Sequence, residues 1–252
     1  MALTHLSAAL SWGIHSVQPP SGVLRGRTPL RAVGSAAVDL LAGLSAEERR
    51  KVLASGRYRR FAAREVLFHE GDPAEHLMLI QQGRVAIRVS TEIGESVSLV
   101  VLGPGEVLGE MALLEEDAVR SATAVALQPT EAWLLRRSTF LELRRTLPQA
   151  NDFLLRTLAA DVRRLSGLLL EAHFLPVETR VLRRLVDLAR QYHNPGQPTV
   201  VPLTQDQLAS LAGASRVTVN QVLQRAAADG LVELRRGRMV VLDAAALASR
   251  AE

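Results

Sequence analysis

Hydrophobic residues recur with two different periods along this chain. Between residues 57 and 135 they form short runs that are separated by Gly, Pro and Asp turn signals. The runs are V-L-F, L-M-L-I, V-A-I-R-V, V-S-L-V-V-L and A-W-L-L. Several short strands in succession predict a closed or sandwich-like β structure.

Helical spacing dominates the residues on either side. Within residues 39–56, Ser45 is placed to cap a short helix whose acids come first and whose bases follow. Residues 138–147 predict a short helix capped by Ser138, and residues 177–192 predict an amphipathic one. The inward residues of the amphipathic helix are Val181, Leu182, Leu185, Val186 and Leu188.

A long helix is predicted for residues 149–174. Its apolar residues alternate at three- and four-residue steps, as in the a/d seam of a coiled coil, and they are Leu155, Leu158, Val162, Leu165, Leu169 and Ala172. Such a seam needs a partner helix, which a parallel homodimer would supply. A palindromic DNA site would share the two-fold axis of that dimer. The alternative is that the stripe packs on the chain's own β-domain.

Residues 201–229 predict two helices joined by a tight turn. Thr204 and Gln207 form a capping box, Gly213 tolerates the left-handed conformation that ends a helix, and Ser215 caps the second helix. In a helix-turn-helix the second helix enters the DNA major groove with its first turns. The candidate DNA contacts are Thr204, Ser215, Arg216, Val217, Thr218, Asn220 and Gln221. The alternative is an ordinary helical hairpin with a solvated polar face.

Two further runs, L-V-E-L and M-V-V-L, follow Gly230 and predict a β-hairpin, or wing. Arg235, Arg236 and Arg238 lie at its tip. There they would contact DNA phosphates and position the helix-turn-helix without specifying the DNA sequence. A merely solvated turn is the alternative. The region from residue 172 onward has 10 basic and 7 acidic residues, which suits a phosphate backbone.

Composition narrows the chemistry. The 252 residues allow two domains, and the absence of cysteine excludes disulfides, thiolate zinc and cysteine-ligated iron–sulfur clusters. No apolar run is long enough to cross a bilayer. Residues 1–38 contain three Arg and no acidic residues, with much Ser, Gly, Pro and Ala. This composition favours a disordered tail, or a start codon assigned too far upstream, over a targeting segment.

A candidate anion site lies within the β region. Residues 105–114 read G-E-V-L-G-E-M-A-L-L, and an Arg120-Ser121 pair follows. A glycine-rich loop of this kind can offer backbone N–H groups to an anion. Arg120 can neutralise a phosphate, Ser121 can donate to it, and Glu110 can accept from a ribose hydroxyl. The alternative to an anion site is a β-turn with a surface arginine, which would be preferred if the Gly-Glu pair stood alone in the sequence.

Three motifs together resemble the CRP/FNR superfamily of bacterial transcription regulators. They are E-G-D-P-A at residues 70–74, G-E-M-A-L-L-E followed by R-S-A-T, and the helix-turn-helix. The resemblance covers residues 39–242 and implies an α+β fold. After the disordered tail that composition predicts at residues 1–38, the resemblance implies a jelly-roll-like cyclic-nucleotide-binding β-roll at 39–147, a dimerisation helix at 148–175 and a winged helix-turn-helix at 176–252. Effector binding would reorient the two readers about the dimer helix.

The resemblance also implies roles for single residues. Gly109 and Glu110 match the backbone and ribose contacts, with Met111, Ala112 and Arg164 beside them, and Arg120 and Ser121 match the cyclic-phosphate contacts. Arg216 matches a guanine-reading arginine, whereas Val217 and Gln221 depart from the best-known member. Leucines also replace the adenine-contacting hydroxyls after Arg163-Arg164, so cyclic AMP, cyclic GMP, another effector or none remain open.

The implied protein is a cytoplasmic regulator, without enzymatic activity, metal or membrane. Its partners would be a second copy of itself, a palindromic promoter and RNA polymerase. Three rival classes are a β-roll metal enzyme, a haem sensor and a cyclic-nucleotide module of a kinase or channel. The first two would need His69 or His76, which lie near one turn without an obvious third ligand, and the helix-turn-helix argues against the third.

Overall fold

The computed structural model describes residues 44–90, 96–114, 118–195 and 197–252. The tail expected at residues 1–38 lies outside these ranges. The first described helix, α1 (Ala46–Ser55), begins at Ser45, whose side chain accepts from the Glu48 amide in a complete capping box. This confirms Ser45 as the cap of the first helix.

Eight strands follow α1. They are β1 (Arg57–Phe61), β2 (Val66–Phe68), β3 (His76–Gln82), β4 (Val85–Ser90), β5 (Ser96–Leu102), β6 (Val107–Leu108), β7 (Thr123–Ala126) and β8 (Thr130–Arg136). All pairings are antiparallel, and the strands form two four-stranded sheets with the orders β1-β8-β3-β6 and β2-β7-β4-β5. A 3-10 turn, Met111–Leu113, follows β6.

Alternation along β3 and β8 separates two apolar cores. Met78, Ile80 and Leu134 belong to a core that both sheets share, whereas Leu77 and Trp133 belong to a second core beneath the helices. Successive strand residues face opposite sides, so a strand buried on both sides has a nearly continuous apolar run. This explains why L-M-L-I and A-W-L-L contain hardly any polar residues.

Two helices, α2 (Arg137–Thr146) and α3 (Pro148–Phe174), connect the sheets to the C-terminal domain, and α4 (Val177–Tyr192) contributes to the core of that domain. The expectation that Ser138 caps α2 was wrong. The helix begins one residue earlier, and Arg136 occupies the cap position without a side-chain capping bond. The cap residue has the extended backbone conformation that a helix start requires, although its side chain accepts no hydrogen bond. The cap therefore lies two residues before Ser138.

The C-terminal domain contains β9 (Thr199–Val201), α5 (Gln205–Ala212), α6 (Arg216–Ala228), β10 (Val232–Arg235), β11 (Arg238–Val241) and α7 (Ala244–Arg250). Strand order is β10-β11-β9. The inward residues expected on α4 are buried in one core with Val219, Val222, Leu223 and Ala226 of α6. The pattern gave no prediction of β9 or α7, because three residues are too few to establish a period and α7 is dominated by alanine.

The C-terminal domain packs against one strand of the β-roll. Val101 of β5 is buried in the core of the C-terminal domain, and the Ser98 amide donates to the Ser210 hydroxyl on α5. Nearby, the Arg84 guanidinium lies 4.5 Å from the centre of the Tyr192 ring and donates to the Gln191 carbonyl. The β-roll therefore contacts both α4 and α5.

Candidate functional site

A cavity of about 320 Å³ lies between the β-roll and α3. Its walls are mostly apolar, and five polar side chains reach it from three separate segments. Glu110 follows β6, Arg120 and Ser121 precede β7, and Asp161 and Arg164 come from α3. An apolar cavity with a few convergent polar groups is the usual form of a small-molecule site.

Gly109 brings the backbone close to Arg120. Its φ of 82° lies in the left-handed region, and a Cβ at this position would overlap the Arg120 Nη1 atom. A larger residue would therefore be strained and would displace the guanidinium. The two parts of the sequence motif, although eleven positions apart, are in contact.

Arg120 is a buried cation with unmet hydrogen-bonding capacity. The residue is 4% exposed, lies 4.2 Å over the Phe68 ring, and donates through Nη2 to the His76 carbonyl at 2.7 Å. Its Nε and Nη1 atoms are buried without a partner among the described residues. Burial lowers the pKa of Arg120, and Glu110 opposes this effect. A buried guanidinium in this state is ready for an anion.

Glu110 lies beside a second acid that the sequence did not single out. Burial raises the pKa of Glu110, and the Asp161 carboxylate raises it further, while Arg164 lowers it. Arg164 donates through Nη2 to Asp161 Oδ1 at 2.9 Å, and its Nη1 has no partner among the described residues. Asp161 could have been found from its position, because residues three apart on a helix are neighbours.

The remaining residues of the motif are more open. Ser121 donates to the Met111 sulfur at 3.7 Å, a weak contact that leaves its hydroxyl free to turn toward a ligand. Met111 is exposed, and Ala112 lies in the same 3-10 turn. Sequence reasoning missed Phe68, which supports Arg120 from a strand more than fifty positions away.

The helix-turn-helix has the local geometry that its sequence predicts. Thr204 and Gln207 form the capping box, Gly213 ends α5 with a φ of 58°, and Ser215 accepts from the Thr218 amide at 3.1 Å. The Ser215 and Thr218 hydroxyls also bond to each other at 2.9 Å. Both side chains thus hold the start of α6 in place.

The first turns of α6 present polar groups to solvent. Arg216 has a 72% exposed side chain and lies 3.3 Å from Asp206, measured from Nε to Oδ1. Val217, Asn220 and Gln221 are exposed beside it. A surface ion pair of this kind contributes little, so Arg216 can exchange Asp206 for another acceptor.

The wing flanks this surface. Arg235, Arg236 and Arg238 are exposed, and together with Thr204, Asp206 and Arg216 they line a concavity of about 300 Å³. Arg235 donates to both Glu233 oxygens at 2.7 and 2.8 Å, whereas Arg236 and Arg238 have no ion pair among the described residues. The concave face carries more basic than acidic side chains, as a phosphate-facing surface requires.

Comparisons with known proteins agree with both halves of this geometry. The family model of the cyclic nucleotide-binding domain matches residues 58–146, and that of the Crp-like helix-turn-helix domain matches residues 179–250. The "Cyclic AMP receptor protein" of Thermus thermophilus is 37% identical over 208 residues, which cover 82% of this chain and 94% of the relative. The chain belongs to the CRP/FNR superfamily of transcription regulators.

Solved CRP/FNR structures have the same fold. The c-di-GMP responsive global regulator CLP of Xanthomonas campestris is 28% identical, with a TM-score of 0.66, and the match covers 79% of this chain and all of that one. A CRP/FNR family regulator from Thermus thermophilus is 25% identical, with a TM-score of 0.64, over 77% of this chain and 98% of the other. The predicted superfamily and α+β fold are confirmed.

Membership of the CRP/FNR superfamily makes the chain a DNA-binding transcription regulator with a cyclic-nucleotide-binding domain. The relatives found are regulators rather than enzymes. Within the described residues, no cluster of three or more His, Asp or Glu side chains suits a metal ion. Among the described helices, none is both long and apolar enough to cross a membrane.

Proposed function

We propose that this protein is a homodimeric transcription regulator, without enzymatic activity, that binds DNA under the control of a cyclic nucleotide. The observation that carries the proposal is Arg120, whose Nε and Nη1 atoms are buried near Gly109 without a partner among the described residues. Leaving a charged group in this state costs free energy, and a cyclic phosphate would satisfy it with two charge-assisted hydrogen bonds.

The other polar residues fit the rest of such a ligand. Ser121 would donate to the phosphate, Glu110 would accept from the ribose hydroxyl, and the backbone at Met111 and Ala112 would border the sugar. Arg164 would exchange part of its pairing with Asp161 for the ligand or for Glu110. The base would then pack on the apolar wall of the cavity.

Cyclic AMP and cyclic GMP are the two candidate effectors. Titrating the purified dimer with each nucleotide by calorimetry should show binding of one of them at micromolar or better affinity. The apolar walls explain how a purine is held by packing, since its burial removes nonpolar surface from water. If a folded dimer binds neither nucleotide, the proposed effector class is wrong, while DNA binding is untouched.

The exposed stripe on α3 supports the homodimer. Leu155, Val162, Leu165 and Leu169 are 64%, 63%, 49% and 60% exposed, whereas Leu158 packs partly against the β-roll core. Ala172 is also exposed. Contiguous apolar surface of this kind is typical of an interface, and the heptad spacing fits a second copy of α3. Leu155, Leu169 and Ala172, which do not line the nucleotide cavity, therefore remain available to a partner.

Replacing Leu169 with alanine should raise the dimer dissociation constant up to about 1,000-fold, since each of the two protomers loses roughly 2 kcal/mol of hydrophobic stabilisation. Sedimentation equilibrium measures this directly. Leu170→Ala is a matched control, because Leu170 is equally exposed at 60% but lies off the heptad stripe. Equal effects of the two substitutions would contradict the proposed seam.

Strand β5 supports the allosteric part of the proposal. Val100 and Leu102 line the nucleotide cavity, whereas Ser98 and Val101 face the C-terminal domain. The register of β4 with β5 skips Leu99, and β5 is the edge strand of its sheet, so the backbone N–H of Ser98 is free to donate to Ser210 of the C-terminal domain. A ligand that contacts one face of β5 would thereby alter the packing of the C-terminal domain against this strand. The position of the helix-turn-helix would change with it.

For DNA, the proposal assigns base contacts to Arg216, Asn220 and Gln221, with Val217 and Thr218 beside them. Phosphate contacts are assigned to Thr204, Ser215, Arg235, Arg236 and Arg238. A dimer would present two such surfaces to a palindromic promoter, where RNA polymerase would be the further partner, in the cytoplasm. Gel shifts on genomic fragments separate a DNA reader from an enzyme, and an absorbance scan tests for haem.

A further inference from the structure

A second cavity, of about 560 Å³, lies at the start of α2. Its walls come from the first residue of β1, the segment before β3, and the β8–α2 junction. The described residues that line it are different from those that line the nucleotide cavity. Nothing in the proposed regulatory function uses it.

Positive charge dominates this second cavity. Arg57, Arg136 and Arg137 line it together with one acid, Glu75. Arg57 and Arg136 are exposed and have no ion pair with any described carboxylate. The guanidinium groups of Arg57 and Arg136 on one concave surface repel each other and favour an anion between them, and Arg is the side chain best suited to phosphate.

His76 forms part of the same wall. Its side chain is 15% exposed, its Nδ1 lies 4.0 Å from Glu75 Oε2, and its Nε2 is buried without a partner among the described residues. Burial lowers the pKa of His76, and the charges of Arg57, Arg120 and Arg136 lower it further, against the opposing effect of Glu75. Burial and the three arginine charges therefore disfavour the protonated ring, and an anion in the cavity would oppose the effect of those charges.

The helix start adds backbone donors. Helix α2 has ten residues, Arg136 at its cap position, no side-chain capping bond and no acid in its first turn. The Arg137 N–H donates to the Glu75 carbonyl, but the N–H groups that follow it lack the acceptor that a capping side chain normally provides. A helix N-terminus of this kind favours anions. Ser138, in the first turn, lines the cavity and offers a hydroxyl.

We propose that this second cavity binds the phosphate groups of a small molecule, with Arg57, Arg136 and Arg137 as the cationic contacts and Ser138 and the start of α2 as neutral donors. The volume exceeds what a single phosphate needs, so pyrophosphate is the simplest probe that spans several of the guanidinium groups. The proposal does not depend on which effector occupies the nucleotide cavity.

Calorimetric titration of the full-length protein with inorganic pyrophosphate, at fixed ionic strength, tests the site. Arg57→Ala and Arg136→Ala should each weaken binding about tenfold, because each removes a charge-assisted contact. Arg60→Ala is the matched control, since Arg60 lies on the same strand but outside the cavity and next to Glu131. It should change the affinity less than about twofold.

Two results would overturn the proposal. Equal weakening in Arg57→Ala and Arg60→Ala would mean that pyrophosphate responds only to net charge. Loss of binding in Ser121→Ala, with Arg57→Ala unaffected, would mean that pyrophosphate occupies the nucleotide cavity instead. A rise in the pKa of His76 on titration, followed by NMR, would support occupancy of the second cavity, because an anion there opposes the arginine charges.

Discussion

Replacing Arg120 with alanine should lower the affinity for the cyclic nucleotide about 100-fold or more. Two charge-assisted hydrogen bonds to a phosphate, each worth roughly 1.5–3 kcal/mol, would be lost together with a buried charge. The ligand-free variant should keep its fold and dimer, although it loses the Nη2 hydrogen bond to the His76 carbonyl and the contact with Phe68, because it also no longer buries a charge whose Nε and Nη1 have no partner among the described residues. Calorimetry on the variant, with whichever nucleotide binds the parent protein, gives the affinity.

Two companion variants separate ligand binding from folding. Arg120→Lys keeps the charge but loses the planar fork, so it should recover only part of the affinity. Gly109→Ala should also weaken binding, because the added Cβ would displace the guanidinium from the place where the phosphate is expected. Retention of full nucleotide affinity in Arg120→Ala, with an intact dimer, would show that the phosphate lies elsewhere.

Local rules predicted the elements that depend on neighbouring residues. The capping boxes at Ser45 and Thr204, the left-handed stop at Gly213 and the cap at Ser215 are set by residues within four positions, and all four were confirmed. The error at Ser138 has the opposite origin. Serine is a common cap residue, which suggested a helix start at Ser138. The Arg137 N–H, however, donates to the carbonyl of Glu75 in a distant segment, and this bond helps to place the start of α2 one residue before Ser138.

Contacts between distant segments were beyond the reach of periodicity. Phe68, at the end of β2, stacks on Arg120 from more than fifty positions away. The contact of Arg84 with Tyr192 joins residues more than a hundred positions apart. Neither aromatic residue has a sequence signal beyond being apolar, because only the folded sheets bring the partners together. The glycine-rich turn and Arg120-Ser121 were found because a known motif linked them.

Asp161 adds a second carboxylate beside Glu110, the residue proposed to accept from the ribose hydroxyl. Asp161 pairs with Arg164, so this side of the cavity carries two carboxylates and one guanidinium group. An exposed N–H edge on the ligand would find acceptors there, whereas a second phosphate would be repelled. The structure thus favours a compact ligand whose negative charge is confined to the Arg120 end.

Replacing Arg216 with alanine should cost about 1–3 kcal/mol for each half-site of the cognate DNA, and therefore up to about 6 kcal/mol for a dimer on a palindrome. The side chain is exposed at the first position of α6 and is held only by a surface contact with Asp206. Loss of a bidentate guanine contact should also relax the sequence preference at one position of each half-site. Competition gel shifts with single-base variants of the site measure both effects.

Arg225→Ala is the matched control for this experiment. Arg225 lies on the same helix and carries the same charge, but it is in the last turn and pairs with Glu178 at 3.2 Å. It should therefore leave base preference unchanged and affect binding by less than about tenfold, mainly through screened electrostatics. If Arg216→Ala instead weakens binding equally on all sequences and reduces the salt dependence by about one ion per half-site, Arg216 is a phosphate contact, and the bases must be read by Asn220 and Gln221.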